Sequence, residues 1–168
     1  MSQIKKPPYN QFPFVSNGKI ALRQIKTSDC LDLLQISFYD AIQAKTLEQA
    51  ILMNARINQD YENGNSIHWG IVDQKSNVIV GTCGYYRGFA NSSGELGCVL
   101  LPQFRGKGFM TAALLLAIDF GLNTMGLKRV YAITSQENDK AIQLFKSINF
   151  KKIRDLDHNE VEFEFVSK

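Results

Sequence analysis

The stretch from residue 95 to residue 125 constrains the fold of this chain more than any other. It opens with Glu95-Leu96-Gly97-Cys98-Val99-Leu100-Leu101, an apolar run of strand length stopped by Pro102. A basic, glycine-bearing turn follows, Gln103-Phe104-Arg105-Gly106-Lys107-Gly108, and a long helical pattern begins at Phe109. Strand, glycine turn and helix in this order aim bare backbone N–H groups and the positive end of a helix dipole at one point. The two glycines permit left-handed dihedrals and close backbone approach, while Arg105 and Lys107 add positive charge. The turn therefore reads as an anion site, suited to a ligand that carries phosphate. The chain's net charge of only +3 fits one local patch of this kind and does not call for nucleic acid or a membrane surface as partner.

Along the helix, Phe109, Ala112, Ala113, Leu116 and Phe120 share one face, and Leu114, Leu115, Ile118 and Leu122 fill much of the rest. A helix apolar nearly all round is buried, or covered by another element or subunit, so a homodimer is compatible with it.

Upstream, 1–16 is interrupted by Pro7, Pro8 and Pro13, and Tyr9, Phe12 and Phe14 suggest an extension lying against the domain. Asn17-Gly18 marks a turn before a strand at 19–24. Thr27, Ser28 and Asp29 offer N-caps for a helix containing Leu31, Leu34, Ile36 and Phe38. Thr46 and Gln49 have capping-box spacing ahead of a second helix through Ile51, Leu52, Ala55 and Ile57. Strands at 67–72 and 78–86 form a hairpin, and 88–94 is a small polar loop leading into the strand at Glu95. Three consecutive strands with short connections imply an antiparallel meander. After Gly126 come a strand at 129–134, a helix capped by Asn138 or Asp139 with Ala141, Leu144, Phe145 and Ile148 on one face, and strands at 150–153 and 161–166. Asparagine, as at Asn149, is the best choice after glycine for a left-handed residue at the end of a helix.

Gln103-x-x-Gly106-x-Gly108 resembles the acyl-CoA loop of the GNAT N-acetyltransferase family, Gln/Arg-x-x-Gly-x-Gly/Ala. The wider string from Glu95-Leu96-Gly97 to Gly106-Lys107-Gly108-Phe109-Met110-Thr111 is similar to the ribosomal-protein N-terminal (Rim-type) branch. The resemblance continues through Asn138, Ala141, Phe145, Asn149 and Phe150 and covers roughly the last hundred residues; the first half matches only in the order of its elements. It implies a single domain over 1–168 with an α+β fold, an α/β/α sandwich. Its mixed, mainly antiparallel sheet would be splayed between the fourth strand (95–101) and the fifth (129–134). It also implies acetyl-CoA as co-substrate, no metal, and an acetyl group passed to a primary amine, in the Rim-type branch the N-terminal α-amine of a protein or peptide. Polyamines, aminoglycosides and free amino acids remain open as acceptors, because fold does not carry acceptor choice.

Acetyl transfer from a thioester to an amine needs a held cofactor, a neutral amine, a stabilised oxyanion and a thiolate able to leave. In the resemblance, Val99, Leu100 and Leu101 lie where the family's fourth strand pairs with the pantetheine arm and donates to the thioester carbonyl. Arg105, Gly106, Lys107, Gly108, Phe109 and Met110 lie where the diphosphate is cradled. Asn138 matches an asparagine near the thiol, and Ala141 and Phe145 match positions along the arm; Asn138 is equally a helix N-cap, and one residue can be both. Glu95, early on the strand that leads to the reaction centre, is the expected catalytic base, since a carboxylate beside apolar neighbours has a raised pKa. His68 is the alternative base. The family's general-acid tyrosine falls at Phe145, so either Ser135 or Tyr131 substitutes, or the thiolate leaves unaided as a group of pKa about 8–9.

Other readings are weaker. Gly106-Lys107-Gly108-Phe109-Met110-Thr111 nearly matches a dinucleotide fingerprint, but that pattern needs a parallel βαβ unit and an acidic residue about 20 positions on. Here Lys128 and Arg129 hold that neighbourhood. No Gly-Lys-Ser/Thr triplet supports an NTPase. A non-catalytic acyl-CoA sensor is the remaining alternative, kept open by the phenylalanine at the tyrosine position. The three cysteines, Cys30, Cys83 and Cys98, form neither a disulfide framework nor a zinc pattern. No signal peptide or apolar stretch of spanning length is evident, and a cytoplasmic location is expected.

Overall fold

The computed structural model describes residues 3–167. Its elements in chain order are β1 (Val15–Ser16), β2 (Ile20–Gln24), β3 (Phe38–Tyr39), β4 (Ile42–Gln43), α1 (Leu47–Glu62), β5 (Ile67–Asp73), β6 (Val78–Tyr86), β7 (Ser93–Leu100), α2 (Phe109–Asp119), β8 (Arg129–Ser135), α3 (Asp139–Ser147), β9 (Phe150–Leu156) and β10 (Glu160–Phe165). Eight strands make one sheet in the order β1-β2-β5-β6-β7-β8-β10-β9, and β3 pairs with β4 alone. Every neighbouring pair is antiparallel except β7 and β8. These two run parallel and pair over just three residues, Ser93↔Arg129, Gly94↔Val130 and Glu95↔Tyr131. Beyond Glu95 they diverge, so the splay expected between the fourth and fifth strands is present, opening halfway along β7.

Helix α2 packs on one face of the sheet. Ala113, Leu114, Ala117 and Ile118 meet Leu22, Trp69, Val80, Tyr85 and Leu96 in the main core. Burying each large side chain of this cluster stabilises the fold by roughly 1.5–3 kcal/mol. Small alanines let the helix sit close to the strands, and the Tyr85 hydroxyl donates to Ala117 O at 2.6 Å. The helix continues into wider π-type turns, Phe120–Met125, and ends at Gly126 with φ 82°. Leu115 alone of its apolar residues is strongly exposed. The opposite face of the sheet carries a second cluster of Ile25, Leu33, Ile36, Val72, Ile79 and Leu101.

The described part of the N-terminal segment, 3–16, lies along this body. Lys5 N donates to Met125 O, Tyr9 N to the Tyr61 hydroxyl, and Trp69 Nε1 to Pro13 O at 3.0 Å.

One expected element is different. The helix through Leu31, Leu34, Ile36 and Phe38 is replaced by two 3-10 turns, Thr27–Asp29 and Leu34–Ile36, and by the β3–β4 hairpin. Its apolar spacing of three, two and two residues follows neither a helical stripe nor strict alternation, and Leu31 is exposed. Asp29 does not start a helix because its carboxylate is held by Arg23, at 2.7 and 3.0 Å, and by the Lys26 N–H. Asp40 and Ala41, with φ 49° and 63°, form the two-residue hairpin turn. By contrast, Thr46 caps α1 as expected, accepting from Gln49 N, while the Gln49 side chain accepts from Lys45 N. Asn149 takes the left-handed conformation, φ 70°.

Candidate functional site

The glycine turn is shaped for an anion. Gly106 and Gly108 have φ 75° and 83°, the left-handed region that only glycine enters freely. Gly108 is the N-cap of α2 and offers no side chain to the first turn, and the first intrahelical bond is Ala112 N to Gly108 O. The amides of Phe109, Met110 and Thr111 therefore lack helical partners. Arg105 and Lys107 flank them, and Lys19, from β2's entrance, swings across to donate to Lys107 O at 2.8 Å. A Cβ on Gly106 would meet nothing within 4 Å, so open space lies beside that backbone. Lys19 stands 88 residues from Lys107 in sequence and is a member of this site that local reading missed.

From this turn β7 leads back along the gap. Leu101 N donates to Val80 O at 2.9 Å, towards β6. Along a strand the amides alternate in direction, so those of Leu100 and Cys98 point the other way, into the gap beside β8. Of the three residues assigned to the pantetheine arm, Leu100 thus presents a free-facing N–H, whereas the Leu101 N–H is already engaged. The Val99 side chain is 41 % exposed, and those of Leu100 and Leu101 are buried. Across the gap, Asn138 caps α3. Its Oδ1 accepts from Ala141 N at 3.2 Å and its Nδ2 donates to Thr134 Oγ1 at 3.1 Å. Phe145 packs against Phe150 and Phe163 in the core, with ring centres 5.2 and 5.5 Å away.

On the other face of β5, β6 and β7 lies a cavity of about 670 Å³. Register assembles its floor. Gly70, Thr82 and Val99 form one row across the three strands, and His68, Gly84 and Gly97 form the next. One step beyond the pair Ile67↔Tyr85 the same register sets Ser66 opposite Tyr86, which pairs with Glu95. Neighbouring strands lie about 4.8 Å apart, and successive rows on one face about 6.6 Å apart. Gly84 and Gly97 leave room for the Tyr86 ring, which lies over both: a Cβ on Gly97 would approach the ring to 2.9 Å, and one on Gly84 the hydroxyl to 3.1 Å. The hydroxyl reaches His68 Nδ1 at 2.7 Å. The walls come from the β3–β4 hairpin and α1, including Tyr39, Asp40 and Asp60, with Tyr39 donating to Asp60 at 2.9 Å.

Glu95 is in this floor, its side chain 13 % exposed and 3.6 Å from Arg87. Burial pushes its carboxyl above the ordinary range; Glu160 and Glu162 add to the rise and Arg87 opposes it. Burial lowers His68 to about 4, so its ring is neutral at pH 7. Tyr86 is pushed up, first by burial, and keeps its proton. Ser66, 6 % exposed, has a buried hydroxyl with no hydrogen-bond partner among the described residues. Sequence reasoning found Glu95 and His68; Ser66 and Tyr86 emerge only from the pairing of the strands.

Residues 19–151 match the Acetyltransferase (GNAT) domain. An uncharacterised N-acetyltransferase of Bacillus subtilis, YoaA, is 24% identical over 149 residues, 84% of each chain. Spermidine N(1)-acetyltransferase of Escherichia coli is 34% identical over 64 residues, 38% of this chain and 34% of its own. In fold, the chain superposes on the solved structure of a putative ribosomal-protein-serine acetyltransferase from Vibrio cholerae, with a TM-score of 0.80 at 14% identity, over 92% of this chain and 97% of that one.

Proposed function

Because this chain belongs to the GNAT acetyltransferase family and is an N-acetyltransferase, we propose that it transfers the acetyl group of acetyl-CoA to the α-amine of a protein or peptide seated in the 670 Å³ cavity. The observation that carries this reading is the double duty of one strand. β7 holds Glu95 in the cavity floor, and just past the pair Glu95↔Tyr131 it becomes the edge of the gap. A thioester in that gap and an amine in that cavity meet across a single strand.

The diphosphate sits on the amides of 106–110 with Lys19, Arg105 and Lys107 around it, and the pantetheine arm runs along β7 towards Asn138 and Ala141. The acceptor arrives as an ammonium of pKa near 8. Glu95 takes a proton from it, directly or through one water, and the freed lone pair attacks the thioester carbon. The gap-facing N–H of Leu100 is placed to hold the oxyanion. Collapse of the intermediate breaks the C–S bond, and the thiolate departs as a moderately good leaving group. His68 is the weaker candidate for the base, since burial has lowered its proton affinity far below that of an ordinary imidazole.

Asp40 and Asp60 in the cavity wall, together with the similarity to a spermidine acetyltransferase, favour one second reading, a polyamine acceptor. Acetyl-CoA-dependent thiol release over peptide N-termini, polyamines and aminoglycosides tests both. Turnover highest on peptides supports the first reading. Turnover confined to polyamines replaces it with the second.

A further inference from the structure

Two hydrogen-bonding groups in the cavity floor have no task in the transfer described above. The Ser66 hydroxyl is buried and unpartnered among the described residues. The His68 ring uses Nδ1 for Tyr86 and leaves Nε2 without a partner among the described residues, in a side chain that lines the cavity. A buried polar group left unsatisfied costs roughly 1–3 kcal/mol, so the Ser66 hydroxyl beside a ligand cavity points to a polar atom of the ligand, and His68 lines the same cavity.

The proton inventory decides which kind of atom. Tyr86 has a single hydroxyl hydrogen, and among the described residues His68 Nδ1 is its hydrogen-bond partner, at 2.7 Å. That short separation suits a hydroxyl donor. With the phenol donating, Nδ1 is the bare nitrogen of the neutral ring, and Nε2 carries the proton. His68 then offers the cavity a donor, and the Ser66 hydroxyl offers another. Both stand at β5 on the same floor as Glu95, with β6 between them and the carboxylate: Ser66 in its row, across Tyr86, and His68 in the next.

Resting on the α-amine reading, we propose that Tyr86 is a positioning residue that fixes His68 as an Nε2–H donor, and that His68 and Ser66 together recognise the oxygen adjacent to the acceptor amine. In an α-aminoacyl group this oxygen is the first carbonyl. Glu95 takes the ammonium and the two donors take the carbonyl, so the amine is oriented as well as deprotonated. An aliphatic amine without such an oxygen leaves both donors unpaired.

The test compares a short peptide amide with its analogue whose first carbonyl is a methylene, in the wild type and in Tyr86→Phe, His68→Asn and His68→Gln. Phenylalanine keeps the ring over the two glycines, so the floor stays filled. Glutamine carries an amide where Nε2 stands, and asparagine one where Nδ1 stands. The wild type prefers the peptide by about 10- to 100-fold in kcat/KM, the range expected for unpaired buried donors. Tyr86→Phe and His68→Asn lose most of that preference, His68→Gln retains more of it, and the Kd for acetyl-CoA is unchanged in all. ¹⁵N NMR of the wild type shows one neutral His68 tautomer, protonated at Nε2, which Tyr86→Phe disturbs. A wild-type ring protonated at Nδ1, or equal preference in all four proteins, overturns the proposal. Absence of any peptide turnover by the wild type, with polyamines turned over, overturns the α-amine reading and this proposal with it.

Discussion

Gly108→Val is the most exacting test of the anion turn, because stability and binding separate cleanly at that residue. Its φ of 83° lies where an L-residue costs roughly 1–2 kcal/mol, with a β-branched one at the upper end. The new Cβ would stand 2.8 Å from Lys19 Nζ, the far end of a flexible side chain, which can move aside. Against a typical native stability of about 5–15 kcal/mol the variant remains folded. For a chain of this length its melting temperature falls by about 2–8 °C. The binding loss is larger. The valine branches stand over the amides of the first helical turn, and displacing Lys19 removes a cation. A charge-assisted hydrogen bond to the diphosphate is worth about 1.5–3 kcal/mol, so removing two of them weakens acetyl-CoA binding by at least 10²-fold. Differential scanning calorimetry and isothermal titration read the two effects on the same sample. An affinity within threefold of wild type in a folded variant refutes the assignment of the turn to the diphosphate.

Glu95→Gln is expected to cut turnover by roughly 10²–10⁴-fold while acetyl-CoA binding is retained. Because the native carboxyl is raised by burial, the acidic limb of kcat/KM in the wild type has its inflection above the ordinary glutamate value, and the variant loses that limb; wild-type rates would place the base elsewhere. For His68 the sign runs the other way from a paired histidine. Its native pKa of about 4 lies below the unfolded value of 6.5, so the unfolded chain gains a proton first and stability falls as pH drops from 6.5 towards 4. The loss is at most about 3 kcal/mol, and His68→Asn reduces it, as urea titrations at either end of that interval would show; an equal loss in both proteins contradicts the burial argument. Asn138→Ala costs about 1 kcal/mol through the lost cap, which Asn138→Ser restores. If the side chain also touches the cofactor, serine recovers the melting temperature without recovering the KM for acetyl-CoA, and full recovery of both would confine Asn138 to capping.

Features written in local sequence were legible in advance. The strand–turn–helix around Gly106 and Gly108, the Thr46 and Asn138 caps and the left-handed Asn149 each rest on residues a few positions apart, and each stands as expected. The 27–43 region was not, because Arg23 recruits Asp29 away from helix capping and the apolar residues there serve two different clusters. The cavity floor is legible only once strand register is known. Ser66, Tyr86 and Glu95 fall in one row because of the register at which β5, β6 and β7 pair at that end of the sheet, and a slip of one residue in any of the three strands would turn that strand's member to the core. Lys19 reaches the anion turn through the same sheet. Local chemistry announced the glycine turn, whereas the cavity floor is a product of topology.

The central claim is that one strand divides the two substrates, and a crystal structure with acetyl-CoA tests it most directly. The account predicts the diphosphate on the amides of 106–110, the arm between β7 and β8, and the thioester oxygen within hydrogen-bond distance of Leu100 N. A coenzyme seated in the cavity beside His68 and Tyr86, or on any other face of the sheet, would contradict it.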